Sequence, residues 1–135
     1  MKKHLAIMHK SAIEAILCGV KTIETRFSKH RIAPYGQVSV GDIVFMKLPG
    51  KEIIGQLKVK KALFFEGMEQ PDIEKIFRDY GKQITVGNKG EDKKYQALKQ
   101  GSVFGTLIFI SKSERFITSP IKYKKKDLRG WVVLE

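Results

Sequence analysis

The 135-residue sequence predicts a single α+β domain, residues 1–135, built on a mixed β-sheet closed on itself with short helices at its rim. Two observations carry this. Strand-like and helical runs follow one another in the order β-α-β-β-β-α-α-β-β, which suits neither an all-parallel sheet nor a helical bundle. No internal repeat and no Pro/Gly/Ser-rich linker divides the chain.

Residues 5–8, Leu-Ala-Ile-Met, form a short apolar run and read as a buried strand. Ser11-Ala12-Ile13-Glu14 fits a capping box opening a helix. Ile13, Ile16, Leu17 and Val20 recur at helical spacing, and Gly19 is placed to end the helix in a left-handed conformation. Cys18 falls within this apolar stretch and reads as a core thiol. Residues 22–27 read as a strand. Alternation puts Ile23, Thr25 and Phe27 on one face and Thr22, Glu24 and Arg26 on the other.

Residues 28–40 form a basic, irregular loop, and Gly41-Asp42 turns into a strand over 43–48. Pro49-Gly50-Lys51 reads as a tight hairpin turn. The long strand that follows, 52–65, contains Gly55, a candidate bulge or close-approach site. Residues 71–80 read as a helix with Ile73, Ile76, Phe77 and Tyr80 on one side and Pro71 in its first turn. Residues 81–92 read as loop, 95–98 as a short helix, and 103–110 as a strand. A polar, basic loop or edge over 111–129 leads to a terminal strand over 131–134.

No apolar run reaches the ~20 residues that span a bilayer, and the basic start has no apolar stretch fit for a signal peptide. The expectation is a cytoplasmic protein without membrane contact, with a monomer favoured. One cysteine excludes an internal disulfide and a cysteine-rich metal site. His4, His9 and His30 lack metal-ligand spacing, so no metal is expected. Gly87-Asn88-Lys89-Gly90 has no phosphate-loop or dinucleotide pattern around it, and no cofactor is expected.

The formal charge is +12. Residues 1–31 carry seven basic and two acidic side chains, and residues 111–135 carry seven and three. The middle is nearly balanced. If the two ends meet, they make one positive surface suited to a phosphate-bearing partner. A solubilising surface explains the same composition.

Residues 19–26 spell G-x-K-x-x-E-x-R directly after the first helix, and Gly41-Asp42 opens a strand about fifteen residues later. This pattern, with the surrounding order of elements and the closing Trp131 strand, resembles the ASCH domain, a relative of the PUA-like β-barrels. The resemblance covers nearly the whole chain. It implies a small PUA-like mixed barrel with a cleft lined partly by the signature strand, binding RNA or modified nucleosides. One bacterial branch of the family hydrolyses the acetyl group of N4-acetylcytidine with a Lys of this motif, a Thr three residues later and a distal Glu. Lys21 matches that Lys, and Glu24 stands at the Thr position. Glu66, Glu69 and Glu74 are candidates for the distal Glu by order in the chain.

The expected function is binding of RNA or a nucleotide in a basic cleft around Lys21, Glu24 and Arg26, with Trp131 as a stacking wall. A Glu accepts from an exocyclic amine, and an Arg forks onto phosphate or carbonyl oxygens. Each residue also has a plainer account. Lys21 can hold a helix-end carbonyl, Glu24 and Arg26 can be a structural ion pair, and Trp131 can simply close the core. Lys29, Arg31 and the run Lys122-Tyr123-Lys124-Lys125-Lys126 are candidates for a nucleic-acid surface, and Phe27, Tyr35 and Tyr123 for base stacking. The first alternative is an enzyme, either an amidohydrolase of acylated nucleosides or a nuclease, with Lys21 and Glu24 as its catalytic groups. The second alternative is a protein-interaction module.

Overall fold

A computed structural model describes residues 1–118 and 128–134. Nine elements run in the expected order: β1 Lys3–Ile7, α1 Lys10–Leu17, β2 Ile23–Ser28, β3 Ile43–Lys47, β4 Ile53–Phe65, α2 Gln70–Ile84, α3 Lys89–Leu98, β5 Phe104–Arg115 and β6 Trp131–Val133. The strands form one six-stranded sheet in the order β2-β5-β4-β3-β1-β6. β1 and β3 are parallel, and the other neighbours are antiparallel. The sheet curls into a half-barrel with β2 and β6 as its two edges. The chain ends therefore meet, since His4 lies opposite Val133 and Ala6 opposite Trp131.

The interior divides by face. Ala6, Met8, Ile13, Ile16, Val44, Met46, Leu57, Ile108 and Trp131 pack inside the curl against α1. Ile23, Phe27 and Leu107 turn to the other face and pack against Met68, Ile73 and Ile76 beside and on α2. Burying each large aliphatic side chain contributes about 1.5–3 kcal/mol, so the two clusters hold both edges of the curl in place.

Several local readings need correction. α1 opens at Lys10 with His9 as N-cap and no side-chain cap, so Ser11 and Glu14 form no capping box. Glu14 instead accepts two hydrogen bonds from Arg115, at 2.6 and 2.7 Å. A capping box does occur at α2, between Glu69 and Asp72. Gly19 has the expected positive φ of 86°, but it ends the helix so early that Cys18 and Val20 are exposed rather than in the core. α2 runs on to Ile84, and a ten-residue α3 occupies much of the stretch read as loop. β5 continues to Arg115 because β4 extends far enough to pair with it, Gly55 lying opposite Arg115. Among the described residues, no helix is long and apolar enough to cross a membrane.

Candidate functional site

The two sheet edges do not pair with each other, and the seam between them opens as a cleft of about 1290 Å³. Its floor is β2, and its walls are the end of β1, the start of β6, the N-terminal turn of α1, and α3. Side chains bridge the gap that backbone pairing leaves.

Arg26 spans the seam. From β2 its Nη2 donates to the Ile7 carbonyl at the end of β1 (3.0 Å), and its Nη1 donates to the Gly130 carbonyl just before β6 (3.3 Å). Its guanidinium carbon lies 5.2 Å from the centroid of the Trp131 ring. Glu24, one strand repeat earlier on the same face, accepts the Arg26 Nε–H on Oε2 at 3.2 Å, and Arg26 Nη2 lies 3.1 Å from the same oxygen as an ion pair. Alternation along β2 thus delivers both side chains to the cleft while Ile23 and Phe27 enter the core.

Lys21 reaches the same place from the turn after α1. Its backbone N–H donates to the Ala15 carbonyl, and the next residue's N–H donates to the Gln83 carbonyl, so the segment is pinned between the ends of α1 and α2. The Lys21 side chain is 4% exposed. Its Nζ donates to the carbonyl of Ile84, the last residue of α2, at 2.7 Å and lies 3.6 Å from Glu24 Oε1. The plain role as a helix-end cap is therefore met, at α2 rather than α1, by the same ammonium that lines the cleft. Burial lowers the Lys21 pKa below its usual value. Glu24 and then Asp92 oppose this, and Arg26 adds to it, but burial prevails.

Trp131 is 3% exposed and belongs to the core, with one edge on the cleft. Its Nε1–H donates to His4 Nδ1 at 3.1 Å.

α3 completes the site. Asn88 caps its first turn, accepting from the Glu91 N–H at 3.0 Å. Asp92 receives the Val86 N–H at 3.0 Å and the Thr85 hydroxyl. Tyr95 donates its hydroxyl to the Thr25 carbonyl at 3.1 Å and accepts the Thr25 hydroxyl at 2.6 Å. Burial first, and then Glu24, push the Tyr95 pKa up, so it stays a neutral phenol. Lys10, Lys89, Lys93, Lys94 and Lys99 also line the cleft. The sequence reading missed them, although residues 89–99 interleave lysines with a tyrosine much as the 122–126 run does.

The other expected residues divide. Phe27 borders the cleft but is buried against Phe77 and Tyr95, and Tyr35 lines the cleft with its ring packed edge-on against Phe64 and Phe104. Lys29 and Arg31 are exposed and outside the cleft lining, Arg31 stacking on Tyr35 and lying 3.7 Å from Glu66. Glu66, Glu69 and Glu74 do not line the cleft. The lining carboxylates are Glu14, Glu24, Glu91 and Asp92. Lys122, Tyr123, Lys124, Lys125 and Lys126 lie outside the described residues.

No family model matches the sequence, and no curated protein matches it. Solved structures do. An ASCH protein from Zymomonas mobilis superposes with a TM-score of 0.61 at 15% identity, over 84% of this chain and 70% of that one. A single-substitution variant of it superposes with a TM-score of 0.69 at 15% identity, over 99% of this chain and 89% of that one. A hypothetical protein, PH0355, gives 0.55 at 22% identity, over 86% of this chain and 100% of that one. The curled six-stranded sheet with its open seam is therefore the α+β, PUA-like fold of the ASCH domains.

Proposed function

We propose that the chain is an ASCH-family protein that binds RNA or a nucleotide in the seam cleft. The observation that carries this reading is the gathering of Lys21, Glu24 and Arg26 at one point of the cleft beside the edge of Trp131. Glu24 is fixed from two sides and keeps lone pairs to accept from a base's exocyclic amine. Lys21 retains donor capacity beyond its bond to Ile84 and serves a base carbonyl. The volume exceeds the ~300–1,000 Å³ of a common small-molecule pocket and suits a ligand with sugar and phosphate attached. The test is calorimetric titration with a panel of nucleosides, nucleotides and short single-stranded RNAs. Glu24→Ala and Arg26→Ala are each expected to weaken binding at least ~10-fold, the equivalent of ~1.4 kcal/mol. Unchanged affinity in both variants would rule the cleft out as the site.

A second reading, an amidohydrolase acting on an acylated nucleoside, has one observation in its favour. Burial lowers the Lys21 pKa despite Glu24, which moves the amine toward the range a general base needs. Against it, a carboxylate at position 24 provides no hydroxyl nucleophile and stabilises the ammonium form. Deacetylation of N4-acetylcytidine by wild type, Lys21→Ala and Glu24→Thr separates the two. Binding without turnover by wild type is expected, with Glu24→Thr shifted toward turnover. Efficient wild-type turnover lost in Lys21→Ala would reverse the ranking.

A further inference from the structure

Lys99 follows α3 directly, half-buried, with its ammonium 5.2 Å from the centroid of the Tyr95 ring. That aromatic contact holds the side chain over the cleft. At the C-cap of α3 it could have bonded the free helix carbonyls, but its Nζ donates to none of them. Among the described residues it has no ion-pair partner either. Its three N–H donors therefore have no protein acceptor among the described residues.

Arg26 is partly committed. A guanidinium has five N–H groups. In Arg26, Nε–H goes to Glu24, one Nη2–H goes to Ile7 and one Nη1–H goes to Gly130, while Nη2 also lies 3.1 Å from Glu24 Oε2 as an ion pair. The second Nη1–H has no acceptor among the described residues. The carboxylate that acts on both cations, Glu24, is itself already shared between Arg26 and Lys21.

We propose that Lys99 and the remaining Nη1–H of Arg26 form a phosphate-binding site, so that the ligand of the cleft carries a phosphate group there rather than being an uncharged nucleoside. This rests on the nucleic-acid reading of the cleft and narrows it. An ammonium that is partly desolvated and has no ion-pair partner among the described residues is an unfavourable arrangement in the free protein. An entering anion relieves it. The direction of the Lys99 pKa agrees, since burial and then Arg26 lower it against the pull of Glu24.

The experiment measures affinities of the four nucleosides, their 5′-monophosphates and a mixed-sequence single-stranded hexaribonucleotide for wild type, Lys99→Met, Lys99→Arg and Arg26→Ala. Wild type is expected to prefer phosphorylated over unphosphorylated ligands by about 10-fold or more, a charge-assisted contact's contribution. Lys99→Met is expected to bring that ratio close to one with nucleoside affinity unchanged, and Lys99→Arg to preserve it. Loss of the ratio with the monophosphates assigns a monoester, and loss with the hexamer alone assigns a strand's diester. Either result upholds the site. For the hexamer the slope of log affinity against log salt should fall by about 0.7 in Lys99→Met, one phosphate contact on a single strand. If Lys99→Met binds every phosphorylated ligand as wild type does while Arg26→Ala weakens the nucleosides, the phosphate site is wrong and the cleft reading stands. If no probe binds wild type, the cleft reading fails and the phosphate site with it.

Discussion

Trp131 and His4 are joined ring to ring by a hydrogen bond from the indole N–H to His4 Nδ1, 3.1 Å long and buried. The indole nitrogen only donates, so His4 Nδ1 must be unprotonated and the imidazole proton sits on Nε2. That proton goes to Asp42 Oδ2, 2.8 Å away. Asp42 Oδ2 also accepts the Ser39 N–H at 3.0 Å, and Oδ1 accepts the Lys2 N–H at 2.9 Å. One buried chain of bonds thus ties β6, β1 and the turn before β3 together. Arg26 lies against the same indole and is the seam's bridge, so the core bond and the cleft wall share one ring.

His4→Ala is expected to cost about 3 kcal/mol or more. It leaves the Trp131 N–H without a partner, removes one of the three hydrogen bonds to the buried Asp42 carboxylate and opens a void in a fully buried position. Urea unfolding measures the loss. The lone tryptophan reports the site directly, and its native emission should move to the red as water reaches the indole. Stability within about 0.5 kcal/mol of wild type would show that the bond chain holds nothing in place.

Asp42 gives the acid limb of the stability curve. Burial alone would raise its pKa, but the hydrogen bonds from His4, Lys2 and Ser39 together bring it below the ordinary carboxylate value. A carboxyl group depressed in the folded state stabilises above its unfolded pKa of about 3.9, and that contribution is lost as pH falls through the folded value. Asp42→Asn has one acceptor oxygen where the site uses two, so at least one N–H is left facing an amide NH₂. The variant should be about 1–3 kcal/mol less stable at neutral pH. Below about pH 3.9 its stability should fall less steeply than that of wild type. Parallel acid limbs in the two proteins would contradict this.

Much of this architecture could be read from local pattern alone. The nine elements follow the expected order because apolar runs, helical spacing and turn glycines are local signals. Glu24 and Arg26 share a face because strand alternation needs no tertiary information. α3 was not legible for the opposite reason. It buries no residue completely, so it has no clean apolar stripe, and its anchors are the contacts of Asp92 with Thr85 and Val86 and of Tyr95 with Thr25. Lys99 depends on that placement and was missed with it. The exposed Cys18 and Val20 follow from Gly19 turning the chain away one turn sooner than the apolar spacing suggests.

Gly55 is a close-approach site of the kind its strand position suggested. A Cβ there would sit 2.7 Å from the Glu114 carbonyl oxygen and 3.3 Å from Met46 Cε. The oxygen belongs to the backbone of the paired strand β5 and cannot swing aside. The register between β3 and β4 slips at the same point, where Met46 faces Gly55 but Lys47 faces Ile53. Gly55→Ala should therefore destabilise by about 1–3 kcal/mol through overpacking. Denaturant midpoints compared at constant m-value test it, and a neutral or stabilising change would mean that β4 and β5 separate there at little cost.

Lys21 should make stability rise with alkaline pH. Its folded-state pKa lies below the ordinary lysine value, chiefly through burial, with Glu24 and Asp92 opposing and Arg26 assisting. Below the folded pKa the amine is protonated in both states, and the full penalty of burying the charge is present. As pH rises through the folded pKa, the native protein releases its proton first while the unfolded chain still holds one, so folding gains stability up to about pH 10.4. Lys99 shifts in the same direction and contributes to the same rise. Lys21→Met isolates the Lys21 share, since Lys99 is unchanged in the variant. The wild type should gain more stability than Lys21→Met between about pH 8 and pH 10.4, measured by urea unfolding at each pH. Equal gains would mean that Glu24 holds the Lys21 ammonium as firmly as water does, and the general-base reading of the cleft would lose its one supporting observation.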